Sequence, residues 1–353
     1  MTQSSLQKCN MVEQGYQPGS CTVQTKEGSK KRACDVTFRK SLEGFSERII
    51  KSMHLSRPED YFSIYQSGCN HSCLKCHSYE FSKHVNGIWK SSNELAEATL
   101  EYYKQVTVFE PRERATTWHA NDLCRHCGSC ILTGEFSEKC PKKLKKDQVI
   151  LSPQGFGPAR NIVAFTGGDI MCKPDYYVEV TKKIKAEHDD LWILLETNGY
   201  GLTPKNLEEY ASAGVDSFWL DIKAFSNETY RKLCGTSNKQ ILESVQRIID
   251  LDFTLEILTL YIPGLVETDE HEKIAELINE VDSKIPTTLL AFFPCYKLSQ
   301  PVYRGPTVLE MVKSFQAMRT KGIENMRIGN LGVFVRTTRD LEYLEETLGP
   351  KYY

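Results

Sequence analysis

The sequence predicts an α/β fold, a partial (βα)6 TIM-like barrel with parallel strands, a cysteine-bearing insert and an N-terminal extension. Short β-branched or aromatic runs alternate with amphipathic segments from Tyr61 onward, which is typical of βα units. A length of 353 residues suits an α/β barrel that folds as one unit. Polar or cysteine-bearing loops follow successive candidate strands, where parallel sheets place their functional residues.

Six strands are expected from these runs, at 61–66, 162–166, 191–196, 217–222, 254–260 and 287–293. Helical patterns lie between them, several opened by a Ser, Thr, Asn or Asp cap, at 92–105, 174–187, 204–213, 226–234, 238–250, 269–282 and 307–321. Further strand-like pieces are predicted at 325–330 and 333–336, and a short charged helix at 339–348.

The chain divides into four parts on this pattern. Residues 1–60 read as a polar, irregular extension with one short strand at 33–38, and 61–335 as the barrel. Residues 106–161 form a long interruption, which is better explained as a metal-organised insert than as a loop without a core. Residues 336–353 form a C-terminal helix and tail.

Composition narrows the function classes. The 44 basic and 46 acidic residues give a net charge of −2, so no whole-chain argument favours nucleic acid or membrane. No apolar run is long enough for a bilayer, and the first residues lack a signal-peptide pattern, so we expect a cytoplasmic protein. Seven of the 13 cysteines fall in two compact groups, which indicates metal ligation in a reducing, anaerobic cell.

The first cysteine group occupies one short loop after the first candidate strand. Cys69, Cys73 and Cys76 have the spacing C-x3-C-x2-C and supply three thiolates. A cubane [4Fe-4S] cluster held at three corners keeps one iron open for a small molecule. The alternative is a zinc site completed by His71 or His77.

The second group lies in the insert. Cys124, Cys127 and Cys130 are followed by Cys140, directly before a proline. This is the ferredoxin-type ligand set for a four-iron cluster, here closed by four thiolates from one segment. Zinc held by the same thiolates is the alternative.

Polar residues follow the later strands in turn. Gly167-Gly168-Asp169 comes after the second, and its glycines allow close backbone approach while the acid can accept from an ammonium group. Glu196-Thr197-Asn198-Gly199 follows the third and could hold ribose hydroxyls or an amino group. Asp221-Ile222-Lys223 follows the fourth, with Lys223 a partner for a carboxylate. Ile262-Pro263-Gly264 is a turn able to face a flat base.

The remaining cysteines carry weaker signals. Cys172, Cys234 and Cys295 are expected to be small buried apolar residues, although Cys295 could face a substrate. The widely spaced Cys9, Cys21 and Cys34 are candidates for a further metal, as a minority interpretation. The basic run 142–146 is expected to be a solvated face, with docking of an acidic electron donor as the alternative.

With these motifs in this order, residues 61–335 resemble the radical S-adenosylmethionine (SAM) superfamily, and within it the activating enzymes of glycyl-radical proteins and their archaeal relatives. The resemblance implies that Cys69, Cys73 and Cys76 are catalytic cluster ligands and that SAM binds the open iron. It assigns the SAM amino group to Gly167, Gly168 and Asp169. It assigns the ribose of SAM to Asn198 and the carboxylate to Lys223. It assigns the adenine to the turn from Ile262 to Gly264. His77, Glu196 and Asp221 complete the cofactor-binding candidates, and 106–161 is similar to ferredoxin-like inserts.

The chain departs from the family pattern at four points, of which the long N-terminal extension and the single cysteine set of the insert bear on the substrate. Lys75 stands where an aromatic residue is usual, and Asp169 stands where Glu is usual. The insert carries one cysteine set where such activating enzymes often carry two.

The expected activity is reductive cleavage of SAM to a 5′-deoxyadenosyl radical that abstracts hydrogen, to activate a glycyl-radical protein or modify a protein. Expected cofactors are two [4Fe-4S] clusters and SAM, with reduced ferredoxin or flavodoxin as electron donor and no membrane. Alternatives are a radical SAM enzyme for a metabolite, lipid or RNA, although no basic stripe with interleaved aromatics favours nucleic acid. A two-cluster electron-transfer protein is the alternative of another class.

Overall fold

The structure, a computed structural model, describes residues 9–353; the first eight residues of the predicted extension lie outside it. Fourteen strands occur in this range: β1 Thr22–Gln24, β2 Lys30–Arg32, β3 Phe38–Lys40, β4 Ser46–Leu55, β5 Phe62–Gln66, β6 Ile88–Ser91, β7 Ile150–Ser152, β8 Gly155–Gly157, β9 Ile162–Gly167, β10 Trp192–Thr197, β11 Ser217–Asp221, β12 Thr254–Tyr261, β13 Thr287–Ala291 and β14 Met326–Gly329.

The helices alternate with these strands: α1 Asn10–Glu13, α2 Ala33–Thr37, α3 Tyr79–Ser82, α4 Ser92–Tyr103, α5 Ser129–Leu132, α6 Asp175–Glu187, α7 Pro204–Ala213, α8 Asn227–Cys234, α9 Lys239–Asp250, α10 Thr268–Val281, α11 Val308–Thr320, α12 Leu331–Phe334 and α13 Thr338–Thr347. Three short 3-10 turns lie at Arg112–Arg114, Trp118–Asp122 and Lys146–Gln148, and a fourth at Pro350–Tyr352. None of the helices in residues 9–353 has both the length and the apolar character required to cross a bilayer.

A ten-stranded sheet forms the centre of the fold. Its order is β14-β13-β12-β11-β10-β9-β5-β4-β3, with β6 also paired to β4. The strands from β5 and β9 to β14 pair in parallel and follow chain order across the sheet. All six strands predicted from the sequence are present, and the α/β class with a mostly parallel sheet is confirmed.

Helix starts follow the predicted caps. Ser91 and Thr307 open α4 and α11 with capping boxes, in which Glu94 and Glu310 reach back to the cap backbone. Thr203 caps α7, and that helix ends at Gly214, whose φ of +91° places it in the left-handed region that favours glycine. Local sequence therefore sets where these helices begin and end.

The segment predicted to be irregular, 1–60, adds two antiparallel strands, β3 and β4, to the sheet, and β6 pairs at the same edge. β4 pairs with β5 in antiparallel fashion, and β3 and β6 pair with β4. The strand predicted at 33–38 is wrong, because Ala33–Thr37 is helical and only Phe38 belongs to a strand. Arg32 bonds Asp35 one turn on, and the Thr37 hydroxyl donates to the Ala33 carbonyl, both of which favour a helical turn.

The strand predicted at 333–336 is also wrong. β14 ends at Gly329, and Asn330 has a φ of +60°, which reverses the chain into α12. The Asn330 side chain donates to the Ala291 carbonyl at 3.0 Å and fixes the reversal. A left-handed asparagine is a turn signal that the flanking apolar residues hide.

Residues along the parallel strands alternate between two apolar faces. Val163 and Phe165 belong to the main core on the helix side. Ile162 and Ala164 belong to a second cluster that includes Ala115 of the insert. The insert therefore covers the sheet face opposite the helices.

The insert has a small core of its own, formed by Val108, Leu123, Leu144 and Val149. It also runs across the amino ends of several parallel strands. The Trp192 indole donates to the Glu110 carbonyl at 2.7 Å, and the Thr254 hydroxyl to the Arg112 carbonyl at 3.1 Å. Arg327 donates to the carbonyl of Trp118.

Candidate functional site

The cysteine loop starts where β5 ends and is held by backbone hydrogen bonds on two sides. Asn70 N donates to the Asp169 carbonyl at 2.7 Å, and Leu74 N to the Leu233 carbonyl at 2.8 Å. Gly168 N donates to the Gln66 carbonyl at 2.8 Å. A Cβ on Gly168 would lie 2.3 Å from the Gly68 carbonyl oxygen, so only glycine fits there.

Three thiols converge on one cavity of about 510 Å³ at the carboxyl ends of the parallel strands. Cys69 and Cys73 are buried and Cys76 is half-buried. Most of the other predicted site residues line the same cavity: His77, Gly167, Asp169, Glu196, Asn198, Asp221, Lys223 and Ile262. The strand-end loops are therefore brought together in the predicted way.

Two predicted site residues lie outside the cavity lining. Gly168 packs against the backbone of the cysteine loop instead. Gly264 has a φ of +77° and donates its N–H to Glu267 at 2.8 Å. Of the turn from Ile262 to Gly264, only Ile262 faces the cavity.

Buried cations surround the thiols. Burial lowers the pKa of Lys83, whereas the nearby thiols raise it, and the net shift is upward. These thiols are those of Cys69, Cys73 and Cys76. A hydrogen bond from Cys234 lowers the pKa of Cys73 to about 6, and Lys223 acts in the same direction. Metal ligation requires the thiolate form, which this environment favours at Cys73. Burial raises the pKa of Cys69, and it raises that of Cys76 to about 11, so a cluster bound here would displace the protons of these two thiols. Three thiols on one cavity with Lys83 and Lys223 nearby fit a cluster held by three thiolates.

His71 is not free to complete a zinc site. Its Nδ1 lies 2.9 Å from Asn70 Oδ1, and its Nε2 lies 2.9 Å from the Tyr230 hydroxyl. Burial, followed by Lys223 and Lys83, lowers its pKa well below the usual value. Across residues 9–353, no three His, Cys, Asp or Glu side chains are arranged around a single ion. A cubane spreads its ligands over several irons, so it does not need that arrangement.

Asp169 joins three loops through its carboxylate. Its Oδ2 accepts from the Thr197 hydroxyl and from Asn198 N, each at 2.7 Å. Its Oδ1 accepts from Met171 N at 2.8 Å and from the Asn70 side chain at 3.4 Å. Four bonds fill the acceptor capacity of a carboxylate. Asp169 therefore orients the loops around the cavity, and direct contact with a SAM amino group stays a prediction.

Asn198 and Lys223 lie near different cysteines of the loop, Cys69 and Cys73 respectively. The Asn198 amide donates to Asn70 Oδ1 at 2.7 Å and contacts Cys69 Sγ at 3.9 Å. Lys223 forms an ion pair with Asp221 beside Cys73. Burial lowers the pKa of Lys223, whereas Asp221 raises it, and the net shift is upward. Lys223 is therefore a cation available to an anionic ligand.

Glu196 is a half-buried acid of β10 that lines the cavity. It accepts from the Tyr61 hydroxyl at 2.8 Å and from the Thr166 hydroxyl at 2.5 Å. Burial raises its pKa to about 8, although both hydrogen bonds act in the opposite direction. At neutral pH the group is mostly protonated and can donate a hydrogen bond as well as accept one.

Glu196 should make stability depend on pH. The unfolded glutamate has a pKa near about 4.3, so unfolding releases a proton between that value and about 8. Stability conferred by the protonated form is therefore lost as pH rises through this window. We expect Glu196→Gln to reduce the decline from pH 5 to pH 8 by on the order of 3 kcal/mol.

Denaturant titrations of Glu196→Gln and the parent chain at pH 5 and pH 8 measure this difference. The contributions of the other titratable groups cancel when the two proteins are compared. Glu97→Gln on the exposed side of α4 is the matched control and should leave the pH profile unchanged. Parallel profiles for Glu196→Gln and the parent chain would contradict the expectation.

Two site residues were not predicted as such. Lys83 ends α3 and donates to the His71 carbonyl, a placement that only tertiary structure reveals. Phe293 lies 5.5 Å from the His77 ring, edge to face, and its centroid is 4.3 Å from Lys75 Nζ. Phe293, two residues beyond β13, thus packs behind Lys75 and His77, which line the cavity. The run Phe292–Phe293 at a strand end was the available signal.

The insert cysteines form a second group. Cys124 is half-buried, and its Sγ accepts from His126 N at 3.3 Å. Burial, with Asp60, Cys140 and Cys130 nearby, raises the pKa of Cys124 despite that hydrogen bond. Cys127 is exposed, and a bond from Ser129 N lowers its pKa. His126 and Gly128 adopt left-handed conformations that turn the chain between the thiols.

Comparison with known proteins shows what the chain is similar to. The model of the Radical SAM superfamily matches residues 121–278. This stretch includes the insert cysteines and β9 to β12, and it begins after the Cys69 to Cys76 loop.

Two curated relatives give the nearer likeness. A Methanocaldococcus jannaschii protein, provisionally named a glycyl-radical enzyme activating enzyme, is 32% identical over 124 residues. The match covers 34% of this chain and 46% of that protein, so the chain spans less than half of its length. Pyruvate formate-lyase-activating enzyme of Clostridium pasteurianum is 23% identical over 180 residues, 51% of this chain and 70% of that enzyme. The resemblance to the radical SAM superfamily and its glycyl-radical activating enzymes is confirmed.

One solved structure, a domain of pyruvate-formate lyase-activating enzyme from Bacteroides vulgatus, covers 48% of this chain and 98% of its own. The identity is 17% and the TM-score 0.40, too low to carry an argument.

Proposed function

We propose that this chain is a radical SAM enzyme that activates a glycyl-radical protein. The observation that carries the proposal is the convergence of Cys69, Cys73 and Cys76 with the polar strand-end residues on one cavity. When bound, a reduced three-cysteine [4Fe-4S] cluster supplies the electron that cleaves SAM to a 5′-deoxyadenosyl radical. The names of the two curated relatives favour a glycyl-radical protein as substrate.

The chain's own residues bind and orient in this scheme. Lys83 and Lys223 stabilise the thiolates and the anionic cluster through charge. Lys223 is also placed to bind a carboxylate, and Asn198 to bind hydroxyl or amide groups. Ile262 offers an apolar surface to a base. The protein thus contributes position and a cavity partly closed to water.

The open sheet is proposed to curve as a partial barrel whose interior is closed by the insert. Trp118 N donates to the buried Glu256 carboxylate of β12 at 3.0 Å, and the Thr117 hydroxyl lies 2.9 Å from that of Tyr61. We propose that the insert cysteines hold an auxiliary [4Fe-4S] cluster. The exposed thiol of Cys127 and the lysines at 142–146 lie in the same segment and suit an acidic donor such as reduced ferredoxin or flavodoxin.

Calorimetric titration of anaerobically reconstituted protein with SAM tests the class. The parent chain should bind SAM, whereas a two-cluster electron-transfer protein should not. Lys223→Met should weaken binding about 10- to 100-fold, because a charge-assisted bond to a carboxylate contributes about 1.5–3 kcal/mol.

Two controls accompany this titration. Lys232→Met on the exposed side of α8 should leave the affinity unchanged. Iron content must be equal in all three proteins, because Lys223 also lies beside Cys73. Equal SAM affinity in Lys223→Met and the parent chain would remove the assigned role of Lys223.

A further inference from the structure

Four cysteines outside both motifs come together in the fold, from segments far apart in the chain. We call them the N-terminal thiol cluster: Cys9, Cys21, Cys34 and Cys172. Cys9 and Cys21 precede β1, Cys34 follows β2 and Cys172 follows β9. The four residues are therefore too far apart in the sequence for their spacing to reveal the group.

Hydrogen bonds next to each thiol join these segments in pairs. The side chain of Asn10, adjacent to Cys9, donates to the Cys172 carbonyl at 2.6 Å. Ala33 N, adjacent to Cys34, donates to the Cys21 carbonyl at 2.7 Å. Cys9 and Cys21 are each 8% exposed and belong to the main core, with Cys34 and Cys172 packed against it.

A side-chain contact also links the two pairs, because Lys173 Nζ, adjacent to Cys172, lies 5.4 Å from the ring centroid of Phe38, four residues beyond Cys34. Burial, followed by Cys34, Asp169, Cys21 and Cys9, raises the pKa of Cys172. Burial, with Asp35 and Cys21, raises the pKa of Cys34 to about 12. With a raised pKa, Cys34 and Cys172 are neutral thiols at neutral pH, and a metal centre would release their protons on binding.

We propose that the N-terminal thiol cluster is a third iron–sulfur site, in which four thiolates hold one closed [4Fe-4S] cluster. Cysteine thiolates are the standard ligands of such clusters, and four of them leave no open iron. Zinc also takes four thiolates, but its ligands must close around one ion. Sulfide content distinguishes the two centres, because only the iron–sulfur cluster contains inorganic sulfide.

The site would fasten the N-terminal segment over the catalytic loops. Already without metal, the Tyr200 hydroxyl donates to the Gln17 carbonyl at 2.7 Å and the Ser20 hydroxyl to the Cys234 carbonyl at 3.1 Å. Cys172 is three residues beyond Asp169, so a cluster there would tie this segment to the loop that Asp169 organises.

The test uses the full chain with the other two cysteine sets disabled. The background variant carries Cys69→Ala, Cys73→Ala, Cys124→Ala and Cys127→Ala, and is reconstituted anaerobically with iron and sulfide. We expect it to retain about four iron and four sulfide per chain and to show a cluster signal by electron paramagnetic resonance after reduction. Adding Cys21→Ser and Cys34→Ser to the background variant should remove the iron, the sulfide and the cluster signal.

Matched controls separate ligation from folding. Thr25→Ala with Ser29→Ala, two exposed hydroxyls between Cys21 and Cys34, should leave the iron content of the background variant unchanged. In the otherwise unaltered chain, alkylation read by mass spectrometry should show half-buried Cys34 protected after reconstitution and modified in the metal-free protein.

No iron in the background variant, zinc without sulfide, or Cys34 alkylated equally with and without metal would overturn the proposal. Each readout is independent of SAM cleavage. Failure of the proposed function would leave the iron and sulfide counts as expected, and failure of the third site would leave SAM cleavage intact.

Discussion

Replacing Cys73 with alanine should abolish formation of 5′-deoxyadenosine while the fold persists. Cys73 is 6% exposed and supplies one of the three thiolates of the catalytic loop. A small apolar replacement keeps the loop packed, whereas two thiolates no longer hold the cluster that cleaves SAM. We expect a rate at least about 1,000-fold below that of the parent chain, since electron transfer to SAM has no substitute route. Chromatographic quantification after reduction with dithionite measures it.

Cys295→Ala is the control for this experiment. Cys295 is half-buried beyond β13, and its backbone bonds Leu298. The control should form 5′-deoxyadenosine at the parent rate, and circular dichroism should be identical for all three proteins. Undiminished 5′-deoxyadenosine from Cys73→Ala would exclude the proposed catalytic cluster.

Gly168→Ala should have the second largest effect, because it displaces the cysteine loop from β9. Its Cβ would lie 2.3 Å from the Gly68 carbonyl oxygen and 2.5 Å from that of Gln66, both backbone atoms. The Gly168 carbonyl also accepts from buried Arg48 at 2.9 Å, so the segment cannot shift freely. We expect a loss of about 3 kcal/mol or more in unfolding free energy, together with loss of iron from the first cluster.

Gly332→Ala provides a matched glycine substitution. A Cβ at Gly332 meets nothing within 4 Å, and the residue lies in α12, where alanine is favoured. Denaturant titration should show this variant as stable as the parent chain. If both variants unfold at the same denaturant concentration, the close contact at Gly168 does not constrain the loop.

The predictable part of the site followed from strand order. Parallel strands place their carboxyl ends at one edge, so residues after successive strands had to meet, as Cys69, Asn198 and Lys223 do. Helix boundaries followed from local caps such as Ser91 and Thr307.

The unpredicted part depends on contacts between distant residues. Lys83 and Phe293 reach the site from segments without a motif, and Asp169 proves to be saturated by the protein. The helix at Ala33 is favoured by the Arg32–Asp35 ion pair and by the bond from the Thr37 hydroxyl to the Ala33 carbonyl, neither of which β propensity reveals.

The insert that lies across the amino ends of the strands has a kinetic consequence. With that end covered, we expect molecules to reach the cavity from the carboxyl ends of the strands, where Cys76 is half-buried. In the proposed function the nucleoside donor binds against the cysteine loop, and a macromolecular substrate docked over the cavity would block its path. We therefore expect compulsory-order kinetics, in which SAM loads first and spent 5′-deoxyadenosine departs last.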